Sequence, residues 1–130
     1  MLNEEIKQSI QTAYSTFLER KSLQARYGQR LMIAEVAKAL ASHSSDDPDT
    51  ALAAIEAGTG TGKTVAYAIA AIVLAQQAEK KLVISTATVA LQEQIVNKDL
   101  PDLLRNSGLE FSYALAKGRG RYLCLVKLDN

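Results

Sequence analysis

The sequence contains one cysteine, Cys124, and no tryptophan. A single cysteine excludes an internal disulfide framework. The chain begins with polar residues, including Asn3, Glu4 and Lys7, and so lacks the pattern of a signal peptide. Its longest apolar run, residues 65–75, is shorter than the roughly 20 residues that cross a bilayer. We therefore expect a cytoplasmic protein with no membrane partner.

Charge of neither sign dominates, since the formal net charge is +1. Any contact with nucleic acid must therefore come from a local cluster and not from a global basic field. The length of 130 residues and the apolar content of 48% suit one compact domain. Residues 42–50 read as a polar loop, and its aspartates (Asp46, Asp47 and Asp49) and His43 lack the spacing of a known cation site. We interpret them as solvated.

Residues 57–64, with the sequence Ala-Gly-Thr-Gly-Thr-Gly-Lys-Thr, match a phosphate-binding loop except that Ala57 replaces the usual first glycine. The three glycines allow a backbone curl whose N–H groups point at phosphates. Lys63 is expected to reach the β and γ phosphates, and Thr64 to offer its hydroxyl to Mg2+ at a helix N-terminus. We predict that Lys63 and Thr64 are catalytic. The predicted nucleotide-binding residues are Ala57, Gly58, Thr59, Gly60, Thr61, Gly62, Lys63 and Thr64.

The pattern around this loop predicts an α/β fold. Short apolar runs at residues 52–56, 81–86 and 111–115 suggest strands, and the segments between them have helical spacing. Right-handed crossovers would make these strands parallel neighbours in a doubly wound sheet, with nucleotide beyond their carboxyl ends. Two amphipathic helices, at residues 2–20 and 29–41, are predicted to precede the sheet.

Four segments resemble the XPD-related iron-sulfur helicases of superfamily 2. Residues 56–64 resemble helicase motif I, and residues 85–94, Ser-Thr-Ala-Thr-Val-Ala-Leu-Gln-Glu-Gln, resemble motif Ia, which touches the backbone of single-stranded DNA. Residues 26–30, Arg-Tyr-Gly-Gln-Arg, resemble the segment in which a glutamine reads adenine, which makes Gln29 the adenine-contacting candidate. Residues 118–124 resemble the segment that delivers the first cysteine of an iron-sulfur cluster. The likeness covers nearly the whole chain.

The resemblance implies a P-loop NTPase with an incomplete RecA-like parallel sheet and N-terminal helices. It also implies an N-terminal helical and adenine-recognition segment (1–50), a partial motor lobe (51–116) and the start of an iron-sulfur segment (117–130). The implied activity is the unwinding of DNA in repair or replication, with ATP and Mg2+ as cofactors and single-stranded DNA as partner. The candidate DNA-contacting residues are Thr86, Thr88, Gln92, Lys117, Arg119 and Arg121.

Each DNA-contact candidate also has an ordinary structural interpretation. The two threonines suit the capping of a turn, and Gln92 suits a helix surface. The basic residues 117, 119 and 121 alternate with other residues before Tyr122, which suits phosphates and a stacked base but also a solvated loop. The sequence leaves these alternatives open.

The departures from the helicase pattern are equally informative. An iron-sulfur cluster of this kind takes four thiolates, so Cys124 is expected to ligate a [4Fe-4S] cluster only in a longer parent protein. No Asp-Glu pair follows on a third predicted strand, and no arginine finger is seen. We therefore expect the N-terminal part of a longer helicase, with weak nucleotide binding and negligible turnover of its own, and self-association through uncovered sheet edges. The alternative is a small nucleotide-binding or adaptor module without motor activity.

Overall fold

The computed structural model describes residues 2–42 and 51–128, and the regular elements among them are helical. The loop residues Asp46, Asp47, Asp49 and His43 lie outside these ranges. The helices are α1 (Glu4–Arg20), α2 (Tyr27–Ala41), α3 (Lys63–Gln77), α4 (Val89–Gln94), α5 (Leu100–Asn106) and α6 (Leu125–Leu128). A π-helical turn (Ile95–Asp99) joins α4 to α5, and a 3-10 turn (Arg119–Arg121) precedes α6.

Local capping explains where α1 begins and ends. The side chain of Asn3 accepts a hydrogen bond from the N–H of Ile6 at 2.8 Å, which satisfies one free donor of the first turn. At the other end Ser22 has a left-handed φ of 53°, and the N–H of Leu23 donates to the carbonyl of Leu18 at 2.9 Å. This is a Schellman ending with serine where glycine is usual. The observed helix agrees with the one predicted at residues 2–20.

Helix α3 forms the centre of the core. Its small residues allow α1 and α2 to pack closely on it, and Ala66, Ala68, Ile69 and Ala70 have no exposed surface. Its partners bury apolar side chains that are mostly larger. Those of α1 are Ile10, Ala13, Tyr14 and Phe17, and those of α2 are Met32, Ile33 and Ala37. The three helices thus bury one continuous apolar cluster, which fixes the position of the loop that precedes α3.

The π-helical turn makes residues 89–106 an almost unbroken helical stretch. Pro101 has no N–H to donate and would disturb an α-helical register. The wider register accommodates it, because the N–H of Leu100 donates to the carbonyl of Ile95 five residues earlier. Leu103 is fully buried. An ion pair between Lys21 and Asp102 then connects the end of α1 to α5.

The predicted α/β fold, a P-loop NTPase with an incomplete RecA-like parallel sheet, is wrong for the described residues. Segments 52–56, 81–86 and 111–115 contain no strand, and no backbone hydrogen bond joins two of them. Leu52 is 87% exposed and Val83 is 85% exposed, so these side chains are not covered as a central strand would be. An apolar run supplies the pattern of a buried strand but not its partner, and a strand exists only through ladder hydrogen bonds.

The residue that precedes segment 111–115 is instead attached to a helix by a side chain. The amide of Gln76, near the end of α3, donates to the carbonyl of Glu110 at 2.6 Å. Beyond this contact, the rings of Phe111 and Tyr113 lie 6.2 Å apart. None of the helices in the part of the chain that the structure describes has both the length and the apolarity that a membrane crossing requires.

Replacing Ile69 with alanine tests the central role of α3. Because Ile69 is fully buried, I69A should lower the free energy of unfolding by about 2–5 kcal/mol, as measured by urea denaturation. The matched control is L52A, which removes an apolar side chain that is already 87% exposed and should change stability by less than about 0.5 kcal/mol. Equal losses in the two variants would contradict this account of the core.

Candidate nucleotide site and basic cluster

The loop before α3 makes a compact turn that depends on two glycines. Gly60 has a φ of 79° and Gly62 a φ of 77°, both in the left-handed region that residues with a Cβ rarely adopt. Between them, the hydroxyl of Thr61 donates to the carbonyl of Gly58 at 2.6 Å. Gly62 is also the N-cap of α3, so the turn leads the chain directly into the helix. Thr59 is exposed at the outer side of the turn.

Unused donors converge at the N-terminus of α3. Within residues 2–42 and 51–128, the backbone N–H groups of Gly62, Lys63 and Thr64 find no acceptor, as expected for the first turn of a helix. The amine of Lys63 donates to the carbonyl of Ala57, across the mouth of the loop. The hydroxyl of Thr64 has no hydrogen-bond partner among the same residues. This arrangement is suited to an anion beside a cation with oxygen ligands.

The N-cap residue and first turn of α2 lie against this loop. The guanidinium of Arg26 donates to the carbonyl of Gly60. A Cβ placed on Gly28 would stand 3.3 Å from the methyl group of Thr61, so the backbone at Gly28 closely approaches the side chain of Thr61. The structure therefore brings together two segments that are more than 30 residues apart in the sequence, as the predicted adenine and phosphate sites require.

Gln29 is buried between the loop and α1, with 7% of its surface exposed. Its side-chain nitrogen donates to the carbonyl of Gly62 at 3.2 Å, and its side-chain oxygen accepts from the hydroxyl of Tyr14 at 2.8 Å. The sequence indicated Gln29 but missed the role of Tyr14, which lies within the predicted amphipathic helix at residues 2–20. The sequence could have indicated this role, because Tyr14 carries a hydroxyl on the apolar face of the helix and a buried Tyr O–H needs a hydrogen-bond partner.

The two candidate threonines before α4 have the capping role that was left open. Thr88 is the N-cap of α4, and its hydroxyl oxygen accepts from the N–H of Leu91 at 3.2 Å. The hydroxyl of Thr86 donates to the carbonyl of Thr88 at 3.2 Å. Both side chains thus fix the turn at the start of α4.

Gln92 joins the two parts of the candidate DNA-contacting surface. Its amide nitrogen donates to the carbonyl of Ala116 at 3.3 Å, and its oxygen accepts from the guanidinium of Arg121. Lys117 and Arg119 are exposed nearby in sequence, on either side of Gly118. We call the residues Lys117, Arg119 and Arg121 the basic cluster. The structure therefore brings one member of the basic cluster, Arg121, and the carbonyl that precedes Lys117 to the side chain of Gln92.

Cys124 is an exposed free thiol just before α6. No group of three or more His, Cys, Asp or Glu side chains suited to a metal ion occurs within residues 2–42 and 51–128. A single thiol does not supply the ligands of an iron-sulfur cluster, so the residues described here do not fit that group. Ligation by Cys124 in a longer protein stays a prediction.

Comparison with known proteins gives a consistent result. A profile of the DEAD/DEAH box helicase family matches residues 22–121, more than half of the chain. The chain is 45% identical over 130 residues to the ATP-dependent DNA helicase DinG of Photobacterium profundum, covering 99% of this chain and 18% of that protein. It is 50% identical over 99 residues to DinG of Escherichia coli, covering 76% of this chain and 13% of that protein. The predicted likeness to helicases is confirmed, and the chain spans less than a fifth of the length of these relatives.

Alanine substitutions at three glycines test the geometry of the loop. At Gly58 an added Cβ meets nothing within 4 Å, so G58A should change the free energy of unfolding by less than about 0.5 kcal/mol. G60A adds the strain of a left-handed backbone, about 1 kcal/mol. G62A adds the same strain and brings its Cβ against the side-chain nitrogen and Cδ of Gln29, so the loss should exceed about 2 kcal/mol. Thermal or urea unfolding gives the order, and equal losses at positions 60 and 62 would contradict the Gln29 contact.

Proposed function

Because the chain belongs to the DEAD/DEAH box helicase family, we propose that it supplies ATP binding and single-stranded DNA contact to an ATP-dependent DNA helicase. The similar proteins from Photobacterium profundum and Escherichia coli are named ATP-dependent DNA helicases. Unwinding of DNA in repair or replication is the activity of the whole protein in this proposal. The residues described here contribute one nucleotide site and one DNA-contacting surface to it.

The observation that carries the proposal is the position of Lys63. It is the first residue of α3, its amine crosses the mouth of the loop, and the unpaired N–H groups of Gly62 and Thr64 lie beside it. A triphosphate placed there would receive hydrogen bonds from these N–H groups and from Lys63, which would exchange the carbonyl of Ala57 for a phosphate oxygen. Charged hydrogen bonds of this kind are stronger than the neutral one that is lost.

Thr64 and Gln29 complete the proposed nucleotide site. The free hydroxyl of Thr64 would hold Mg2+, which when bound neutralises charge on the β and γ phosphates. Gln29 would contact adenine, since an amide offers a donor and an acceptor side by side. Its hydrogen bond to Gly62 supports this assignment, because that contact places the base-reading side chain directly behind the phosphate loop.

Single-stranded DNA is proposed to lie along the start of α4 and the basic cluster. Thr86, Thr88 and Gln92 provide polar groups at the N-terminal end of α4, and Lys117, Arg119 and Arg121 provide positive charge. The bond between Gln92 and Arg121 makes these two parts one surface. Lysine and arginine on an exposed turn, next to backbone-binding polar groups, are suited to phosphates without selecting a base sequence.

Replacing Lys63 with alanine tests the nucleotide site. K63A should weaken binding of Mg-ATP at least tenfold, because a charge-assisted hydrogen bond to phosphate is worth about 1.5–3 kcal/mol. Isothermal titration calorimetry with ATP and Mg2+ measures the dissociation constant. The control K38A removes an exposed lysine of α2 that pairs with Glu35 and should leave the constant unchanged. Undiminished ATP binding by K63A, with the fold intact by circular dichroism, would overturn the assignment.

The basic cluster predicts a specific change in salt dependence. For binding to single-stranded DNA, the association constant falls with salt, and a plot of log K against log salt has a slope of about −0.7 per phosphate contact. Removing three contacts should therefore make the slope shallower by about 2. The variant K117A/R119A/R121A should show this loss when its binding to labelled oligothymidine is measured by fluorescence anisotropy across a salt series. The control K7A/K38A/K80A removes the same charge from other exposed positions. Equal slopes for the two triple variants would place the DNA elsewhere.

A further inference from the structure

A chain of hydrogen bonds links α1 to the phosphate loop. The backbone N–H of Arg26 donates to the hydroxyl oxygen of Tyr14 at 3.4 Å, and that hydroxyl donates to the side-chain oxygen of Gln29 at 2.8 Å. The side-chain nitrogen of Gln29 then donates to the carbonyl of Gly62 at 3.2 Å. We propose that Tyr14 is a positioning residue that fixes the orientation of the Gln29 amide and thereby makes the site select adenine over guanine nucleotides. This inference rests on the proposed function, in which Gln29 contacts the base.

The two partners of Gln29 specify which end of the amide carries the oxygen. The carbonyl of Gly62 is only an acceptor, so it requires the NH2 group on its side. The hydroxyl of Tyr14 already accepts from the N–H of Arg26 and therefore has its proton available for the amide oxygen. A flipped amide would set its oxygen against the oxygen of Gly62. Both contacts thus favour the same orientation.

That orientation leaves Gln29 with one N–H and one acceptor lone pair uncommitted. An amide has two N–H donors and two oxygen lone pairs, and one of each is used by Gly62 and Tyr14. Adenine offers a donor, its 6-amino group, next to the acceptor N7, which matches this pair. Guanine offers two acceptors at the same positions, so the amide oxygen would face another oxygen. A fixed amide therefore discriminates between the two purines.

Tyr14 is well placed to hold the oxygen end because its own position is fixed. It is 8% exposed, on the face of α1 that packs into the apolar core with Ile10 and Phe17. Gly62 constrains only the nitrogen of Gln29, whereas Tyr14 is the only described residue that donates a hydrogen bond to the oxygen. Without the hydroxyl, the buried oxygen would lose its donor and the amide would adopt other rotamers.

The test compares the affinities of the full chain for Mg-ATP and Mg-GTP by calorimetry. In Y14F the GTP dissociation constant divided by the ATP dissociation constant should fall about tenfold. The expected size follows because one bidentate pair between an amide and a base discriminates against the wrong base by about 5- to 150-fold. The control Y113F removes a hydroxyl that donates to the carbonyl of Val96 at 3.3 Å, remote from Gln29, and should leave the ratio unchanged. Thermal unfolding of both variants records any change in stability separately.

A double-variant cycle distinguishes action through Gln29 from a general structural effect. Q29A should lose the discrimination, and adding Y14F to Q29A should change the ratio no further, because the two residues act as one unit. If Y14F unfolds, Y14W replaces it in the cycle. Tryptophan keeps an aromatic ring, but its N–H donor is displaced from the Gln29 amide. Y14W should therefore show the same loss of discrimination. An unchanged ratio in a folded Tyr14 variant that still binds ATP would overturn this inference alone. Failure of the unaltered chain to bind ATP would overturn it together with the proposed nucleotide site.

Discussion

The hydrogen bond from Gln29 to the carbonyl of Gly62 is the contact on which the candidate nucleotide site depends. It joins the first turn of α2 to the residue that caps α3, and both helices belong to the same buried core. Because residue 62 is a glycine, no Cβ intervenes between the loop and the amide, whereas an added Cβ would collide with the side-chain nitrogen of Gln29. The site therefore inherits its geometry from helix packing, and a change in that packing would reach the phosphate loop through Gln29 and through Arg26, which donates to the carbonyl of Gly60.

The alanine-rich composition of α3 makes that packing possible. Alanine loses no side-chain entropy on burial and keeps the helix narrow, so α1 and α2 both come close to the same segment. Larger apolar residues on the partners, such as Phe17 and Met32, then fill the space. The packing thereby also fixes the position of the first turn of α3, and the N-terminus of a helix is the end that favours anions.

The sequence predicted the helices better than it predicted the sheet. Helix α1 and the region of α2 follow from periodic apolar residues, which are a property of a single segment. A strand depends on a neighbour that local sequence does not specify, which is why the runs around Leu52 and Val83 were misjudged. The same reasoning applies to the site. The loop motif was evident from its residues, whereas the contact of Tyr14 with Gln29 joins two helices and required the tertiary structure.

Structural and functional interpretations of a residue need not compete, as Thr88 illustrates. Its hydroxyl oxygen accepts from the N–H of Leu91 and so caps α4, but this contact leaves the hydroxyl proton without an assigned acceptor. A hydroxyl accepts and donates at once, so Thr88 is able to stabilise the start of α4 and to donate to a phosphate oxygen in the same conformation. Thr86 differs, because its proton is already directed at the carbonyl of Thr88. A phosphate contact by Thr86 would first have to break that bond, so in the proposed DNA contact Thr88 is the threonine with a proton to donate.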